Sequence, residues 1–466
     1  MTNDIKRIHL VAACGTGMGT LACILKEMGY EITGSDQNVY PPMSAFLEAN
    51  GIHLCSGFDP ANIGDDPAPD LVIIGNAVSR DNPEAKAVMA RKIPYISMPQ
   101  AVNRFIAGNK KIILVTGTHG KTTTSAIMSH LLETAGLSPS FMIGGILKDF
   151  NSSFKIGQGD YMVIEGDEYD TAFFDKGPKF MHYDPYITIT TSIEFDHADI
   201  FTDLDHICRI FREFFKKIKD HSHVIACREN KTLTEVLAEA GVDAQTYGDG
   251  GDWSFSGHET RSGRTNARIA GPAAELMLDT PLQGRHNLLN ATACIAAAKK
   301  LGIPDEKIIE GIASFSGVKR RQEIRGVCNG ITIMDDFAHH PSAVRETIAA
   351  VRPFYPDGRL VAVFEPRTNT SMRSFFQQTY PAAFDLADMV CICNPCVTKQ
   401  IPEAERFRPE LLVSDICERG VRARHFETPD QVIDALAGEL RPNDLVLIMS
   451  NGGFGNIHER LLERLR

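Results

Sequence analysis

The sequence predicts an α/β fold in three domains, each built on a mostly parallel sheet. Three observations predict it. Short apolar runs alternate with helix-period stretches, and the alternation recurs in three sections. At ~150 residues per domain, 466 residues point to about three domains. Glycine-rich turns directly follow apolar runs, as at strand–helix junctions of such sheets.

The first section, residues 1–107, opens on the strand-like RIHLVAAC, then the glycine loop GTGMG. LACILKEMG follows, with Leu21, Ile24, Leu25 and Met28 at helical spacing. The next strand begins at Tyr30 and ends at Asp36; LVIIGNAV is a further buried strand, and residues 98–109 read as a connector. The second section, 108–314, starts with the strand KIILVTG and the helix KTTTSAIMSHLLETAG, stopped by Gly136. DYMVIEGD and YITITTSIEFD are strands ending in acids. GDGGDWSFSGHETRSGRT reads as hairpin or loop, and NLLNATACIAAAKKLG as an alanine-rich helix ending at Gly302. The third section, 315–466, opens around the basic stretch GVKRRQEIRG. GITIMDDFAHHP is strand then loop, SAVRETIAAVRPF a helix, and RLVAVFEPR, ADMVCICNP and NDLVLIMSNGG three more strand–loop units.

Lys and Arg number 48 and Asp and Glu 59, a net charge of −11 without a basic block. That argues against a general nucleic-acid or membrane-surface binder. No run reaches the ~18 apolar residues of a membrane span, and the start lacks the pattern of a signal peptide. The reading is a cytoplasmic protein whose eleven cysteines are reduced thiols. Cys391, Cys393 and Cys396 lack a second CxxC or a histidine pair to complete a tetrahedral metal site, so they read as small buried side chains.

The strongest chemical signal is VTGTHGKTTT, residues 115–124. A strand, a glycine turn and a helix N-terminus bind phosphate through unpaired backbone N–H groups and the helix dipole. Gly117, Thr118, His119, Gly120, Lys121, Thr122 and Thr123 form this candidate ATP loop. Lys121 can reach the β/γ-phosphates and the Thr122 hydroxyl can ligate Mg2+. Val115 stands where the usual motif has its first glycine. Glu165, Asp167 and Glu168 follow one strand and Asp196 and His197 another, which is where a metal beside such a loop would be held. A second loop, Gly15-Thr16-Gly17, fits part of a dinucleotide fingerprint, with Thr20 in place of its third glycine and Asp36 twenty-one residues after Gly15. Alone it fits NAD, another nucleotide, or a tight turn.

The order TGTHGKTTT, EGDEYD, EFDHADIF, GRHNLLN, GVKRRQEIRG, DDFAHHPSAV resembles that of the Mur ligase family over essentially the whole chain. NVYPPMS, EYDTAFFDK, KFMHY, FEPRTNT and SNGGFG resemble members that join a peptide, not one amino acid, to UDP-N-acetylmuramate. The resemblance implies a Rossmann-like N-terminal domain for the UDP-sugar, a central P-loop ATPase-type domain and a Rossmann-like C-terminal domain for the peptide. It implies ATP and Mg2+, an acyl phosphate, and the murein tripeptide L-Ala-γ-D-Glu-meso-diaminopimelate as amine substrate in peptidoglycan recycling.

By the same resemblance, Lys121, His197, Arg321 and Asp336 are catalytic, and Thr122, Glu165 and His197 hold metal. Asn287 and Asn290 contact adenine, although Asn287 could instead cap its helix. Gly15, Thr16, Gly17 and Asp36 receive the UDP-sugar; Arg367, Thr368, Asn369 and Asn451 receive the peptide; His339 lies near the acyl phosphate or amine. The sister reading adds L-alanine to the same sugar, but its acidic motif has Ser where Tyr169 stands. An NAD(P)-dependent oxidoreductase would leave GTHGKTTT, HNLLN and DDFAHHP without roles. A P-loop switch protein would leave the first loop and the third section unexplained.

Overall fold

A computed structural model describes residues 5–39, 43–64, 67–198, 200–261, 263–272, 274–395 and 401–466. Cys396, Tyr40–Pro42 of NVYPPMS and Asp199 of EFDHADIF lie outside the described residues. Three sheets succeed one another along the chain, as the alternation predicts. The first is wholly parallel, in the order His53–Ser56, Glu31–Asp36, Arg7–Val11, Leu71–Ile74, Tyr95–Ser97. The second has seven strands: Gln245–Tyr247, Val224–Cys227, Pro185–Thr190, Lys111–Thr116, Tyr161–Gly166, Ser140–Leu147 and Ser152–Lys155, with only the last pair antiparallel. The third runs Glu323–Cys328, Ile331–Asp336, Leu445–Met449, Leu360–Phe364, Met389–Cys393, Arg422–Phe426, antiparallel only at its first pair.

The central strands are fully buried apolar runs, as sheets covered by helices on both faces require. Cys391 and Cys393 lie in such a strand and pack in the core of the third sheet; burial pushes the Cys391 thiol up to about 12. The glycine-rich stretch after Tyr247 leads into the antiparallel strands Ser254–Arg261, Arg264–Gly271 and Ala274–Thr280, in keeping with a hairpin. Residues 98–109 depart from the expected connector. They form a helical turn, Met98–Ala101, continuing as a π-helix, Val102–Ala107. The Gln100 side chain accepts from Ser97 N (2.9 Å) and Pro99 starts the turn, so the helix signal was Ser-x-x-Gln with an early proline.

The first two units share one continuous apolar cluster, from Ile8 and Leu21 through Phe105 to Ile113 and Phe315. The third sheet has separate clusters on its two faces. The FFDK segment of the small hairpin Asp170–Ala172/Asp175–Pro178 reaches back to the first unit, with Phe174 edge-on to Tyr95 at 5.1 Å. The junction with the third unit is polar. Gly317 O and Ile146 O tie residues 317–319 to the central unit, and third-unit pairing begins at Arg320, shortly after the expected boundary near 315.

Candidate active site

The strand Lys111–Thr116 lies mid-sheet, and its parallel neighbours release their chains at the same edge. Val115 is buried inside this strand, so the turn is only Gly117 to Gly120, and Lys121 opens the helix Lys121–Thr134. Both glycines are sterically required. Gly117 has φ +121, and a Cβ there would lie 2.3 Å from Thr191 Oγ1. Gly120 has φ +78, and a Cβ would lie 2.8 Å from Asn290 Oδ1.

Lys121 Nζ donates to Gly117 O (2.6 Å) and to Glu168 Oε2 (2.8 Å). Burial pulls its ammonium down, but the carboxylates of Glu168, Asp167 and Glu165 overcome this and raise it. Glu165 behaves differently. Burial, reinforced by Asp167, pushes its carboxyl up to about 7 against the Thr122 hydroxyl, Lys121 and Arg321. Its Oε1 is buried without a hydrogen-bond partner. Asp167 pairs with Lys179 at 3.0 Å, and Lys179 sits 4.1 Å from the Tyr169 ring centre. His197 Nε2 stands 3.5 Å from Glu168 Oε1; burial lowers its imidazole, yet Glu168 and Asp196 raise it overall.

A cavity of about 340 Å³ opens between the central and third units. His119, Gly120, Thr123, Asn287, Asn290, Arg321 and Asp336 all line it. Asn287 lies inside the helix Arg285–Lys300, whose N-cap is Gly284, so it does not cap that helix. Asn290 Nδ2 donates to Asn287 Oδ1 (3.3 Å), which places both amides on one helical face. Arg321 Nη2 reaches Thr122 Oγ1 at 3.4 Å. Asp336 accepts from Gln322 N and Ala338 N, both at 2.8 Å, and burial raises its carboxyl despite Arg321. His339 Nε2 lies 3.9 Å from Asp196 Oδ2.

Other residues of the cleft were not singled out in the sequence. Glu194 accepts from Ser342 Oγ (2.8 Å) and faces His119 Nε2 at 3.4 Å, linking the Gly117–Gly120 turn to the third unit. Burial, with the charge of Arg321 nearby, lowers the His286 imidazole to about 4. Glu194 opens EFDHADIF and His286 stands in GRHNLLN, but neither is assigned a role by its motif; only the fold brings them to the cleft.

The other two clusters lie elsewhere. In the first unit Asp36 accepts from Cys14 N (2.8 Å) and Asn38 N (3.0 Å), bracing the Gly15-Thr16-Gly17 turn. Thr20, which replaces the third glycine, bonds Ser153 Oγ of the central unit at 2.9 Å. In the third unit Arg367 lies against Gly452, beside the buried Asn451 Oδ1, which lacks a partner. Thr368 accepts from Ser371 N (3.0 Å), which folds the loop holding Asn369. Thr370 Oγ1 of that loop accepts from Ala198 N (3.2 Å), next to His197.

A P-loop facing acids, backed by a linker arginine and an aspartate from another unit, defines a phosphoryl-transferring enzyme. Comparison with known proteins places it. Three family models match in succession: Mur ligase family, catalytic domain, over residues 7–110; Mur ligase middle domain over 115–298; and Mur ligase, glutamate ligase domain, over 320–452. The chain belongs to the Mur ligase family and is an ATP-dependent ligase. It is 38% identical over 462 residues, 98% of each chain, to the UDP-N-acetylmuramate–L-alanyl-γ-D-glutamyl-meso-2,6-diaminoheptanedioate ligase of Escherichia coli. It is 32% identical to the UDP-N-acetylmuramate–L-alanine ligase of Desulforamulus reducens, over 99% of this chain and 98% of that one. The crystal structure of a murein peptide ligase from Psychrobacter arcticus superposes with a TM-score of 0.72 at 32% identity, covering 98% of both chains. Among the described residues no helix is long and apolar enough to cross a membrane.

Proposed function

We propose that this chain joins the tripeptide L-Ala-γ-D-Glu-meso-diaminopimelate to UDP-N-acetylmuramate in the cytoplasm, using ATP and Mg2+, as a step of peptidoglycan recycling. The observation that carries the reading is the set of groups at the loop: Arg321 and Asp336 line the cavity on which the central and third units close, and Arg321 reaches Thr122, the residue after Lys121. Greater identity to the tripeptide ligase than to the L-alanine ligase, 38% against 32%, favours the peptide as amine substrate.

The proposed domains are 1–107 for the UDP-sugar, 108–314 for ATP and 315–466 for the peptide. Gly15, Thr16 and Gly17 offer backbone to the diphosphate, and Asp36 fixes their turn at the uridine end. Asn287 and Asn290 present amide donors and acceptors to adenine. The lactyl carboxylate attacks the γ-phosphorus of ATP, the bond to the β-phosphate oxygen breaks, ADP leaves and an acyl phosphate forms, so two anions must approach each other. Lys121 exchanges Glu168 for phosphate and, with Arg321, offsets that charge. The tripeptide amine then attacks the acyl carbon and phosphate leaves. Arg367 binds a peptide carboxylate through its planar fork, with Thr368, Asn369 and Asn451 beside it.

Thr122, Glu165 and His197 fit a divalent cation, since the unpartnered buried Glu165 Oε1 asks for one. Thr122 and Glu165 would hold one Mg2+ and His197 a second. Bound there, the ions supply charge neutralisation on the phosphates.

Phosphate release measured with ATP, UDP-N-acetylmuramate and tripeptide, each omitted in turn, tests the reading. Ligation requires all three. Efficient ligation of free L-alanine by the wild type transfers the assignment to the sister activity.

A further inference from the structure

The chain changes partners between two neighbouring residues. Lys319 N donates to Ile146 O (2.9 Å), and Val318 is buried in the central core. Arg320 belongs to the third unit. Its N–H donates to Glu323 Oε2 (2.8 Å), and its carbonyl accepts from Phe337 N (2.9 Å). Its Nη2 donates to two carbonyls at once, Ser450 O (2.7 Å) and Gly452 O (2.6 Å). Arg321, the next residue, turns the other way, toward Thr122.

This divergence is set by the backbone. Arg320 (φ +61) and Gln322 (φ +50) are both left-handed without being glycine. Side chains with a Cβ rarely adopt that conformation and keep it only where their surroundings fix it. The loop that Arg320 grips is the floor beneath Arg367. A Cβ on Gly452 would lie 2.2 Å from Arg367 Cδ and 2.5 Å from its Cζ. The same loop is tied from below, where Ser450 Oγ donates to the fully buried Glu365 Oε2 (2.6 Å), itself 3.8 Å from Arg367 Nη1.

We infer that Arg320 is a positioning residue for the peptide substrate: by holding the Ser450 and Gly452 carbonyls it sets the surface on which Arg367 presents its guanidinium. The inference rests on the proposed role of Arg367. Arg320 itself need not touch any substrate, because its charged hydrogen bonds end on loop carbonyls. The fold does not depend on it alone, since its acidic neighbour Asp335 also faces His458 Nε2 (3.3 Å) and Arg325 Nη1 (3.6 Å).

The test compares wild type, Arg320→Ala and Arg320→Lys in the full chain, with two amine acceptors. Tripeptide reports the whole site. Hydroxylamine reports the acyl phosphate alone: its nitrogen attacks the acyl carbon, phosphate leaves, and a hydroxamate forms without the peptide loop. Arg320→Ala is expected to raise KM for tripeptide about tenfold while hydroxamate formation stays within about twofold of wild type. Arg320→Lys keeps the charge but not the fork, and falls between. An unchanged tripeptide KM overturns the inference, as does a parallel loss with both acceptors. Should Arg320→Ala fail to fold, the same pair of outcomes decides with Arg320→Lys. A wild type that takes no tripeptide removes the substrate reading first and the inference with it; a wild type that does, beside unchanged variants, removes the inference alone.

Discussion

The turns that end at Gly15 and Gly120 each join a middle strand of a mostly parallel sheet to a helix N-terminus. Both helix N-termini offer unpaired N–H groups, although Thr118 N and His119 N of the second turn are tied to Ser192. Their surroundings differ. Gly15 has φ −71 and empty space where a Cβ would stand, while Gly120 has φ +78 and Asn290 in that space. The second turn carries a buried lysine matched to buried acids. The first carries no cation of its own, and its one acid, Asp36, is turned inward onto loop amides. On the proposed reading, backbone shape is enough to seat a diphosphate that only has to be held. Moving a phosphoryl group requires charge arranged in advance, and only the second turn has it.

Removing that charge has the largest expected effect. Lys121→Ala takes away the cation proposed to face the phosphate and leaves Glu168 with His197 alone of its two cationic partners. Ligation should fall by a hundred- to a thousandfold, about 3–4 kcal/mol of transition-state stabilisation. Circular dichroism should show a folded protein. Near-normal turnover by that folded variant would break the contrast between the turns.

A matched pair of alanines sharpens it at smaller cost. Gly120→Ala forces a side chain into left-handed backbone and against Asn290 Oδ1. We expect about 1–2 kcal/mol of lost stability and a drop in kcat/KM for ATP. Gly15→Ala meets nothing, so stability should stay within about 0.5 kcal/mol, with any effect confined to KM for UDP-N-acetylmuramate. Equal penalties in thermal melts would show that the two turns are built alike after all.

The sequence made the alternation legible because buried parallel strands need apolar runs, and KIILVTG, RLVAVFEPR and NDLVLIMSNGG each hold one, IILV, LVAVF and LVLIM. It made the second turn legible through Gly117, Gly120, Lys121 and Thr122, whose spacing is dictated by local geometry. The helix at 98–107 reads as a connector although Ser97 and Gln100 announce it and Met98, Ala101, Val102, Phe105 and Ile106 recur at helical spacing. Contacts between units were illegible for a physical reason. Which of Arg320 and Arg321 turns toward Thr122 depends on two left-handed residues that carry no glycine to betray them. Glu194, Ser342 and His119 meet only because two sheets far apart in sequence close on one cavity.

A last expected effect, on stability and its pH dependence alone, lies behind the first turn. Its charge is hidden under the sheet, not displayed at the ligand. Glu84 is fully buried, accepts from Asn62 Nδ2 (2.6 Å) and from Ser35 Oγ, and has His9 Nε2 3.8 Å away. Ser35 directly precedes Asp36, and its carbonyl accepts from Ala13 N (2.9 Å), so this carboxylate braces the strand end that shapes the turn. Burial raises its carboxyl, but His9, Ser35 and Asn62 together hold it below the usual carboxylate value of 4.5. A carboxyl lowered on folding stabilises the folded state fully above its unfolded value, and that contribution is lost as pH falls through the folded value. Glu84→Gln keeps the shape and removes the charge. In urea denaturation the variant should be less stable by about 1–2 kcal/mol at pH 7. The gap should persist to about pH 5 and narrow below it, as the wild-type carboxylate takes up its proton. KM for ATP should not move, because no part of this cluster borders the central cavity. A stability gap that stays constant from pH 7 to pH 3 would mean that Glu84 acts by shape alone, and that the first turn owes nothing to charge on either side of its sheet.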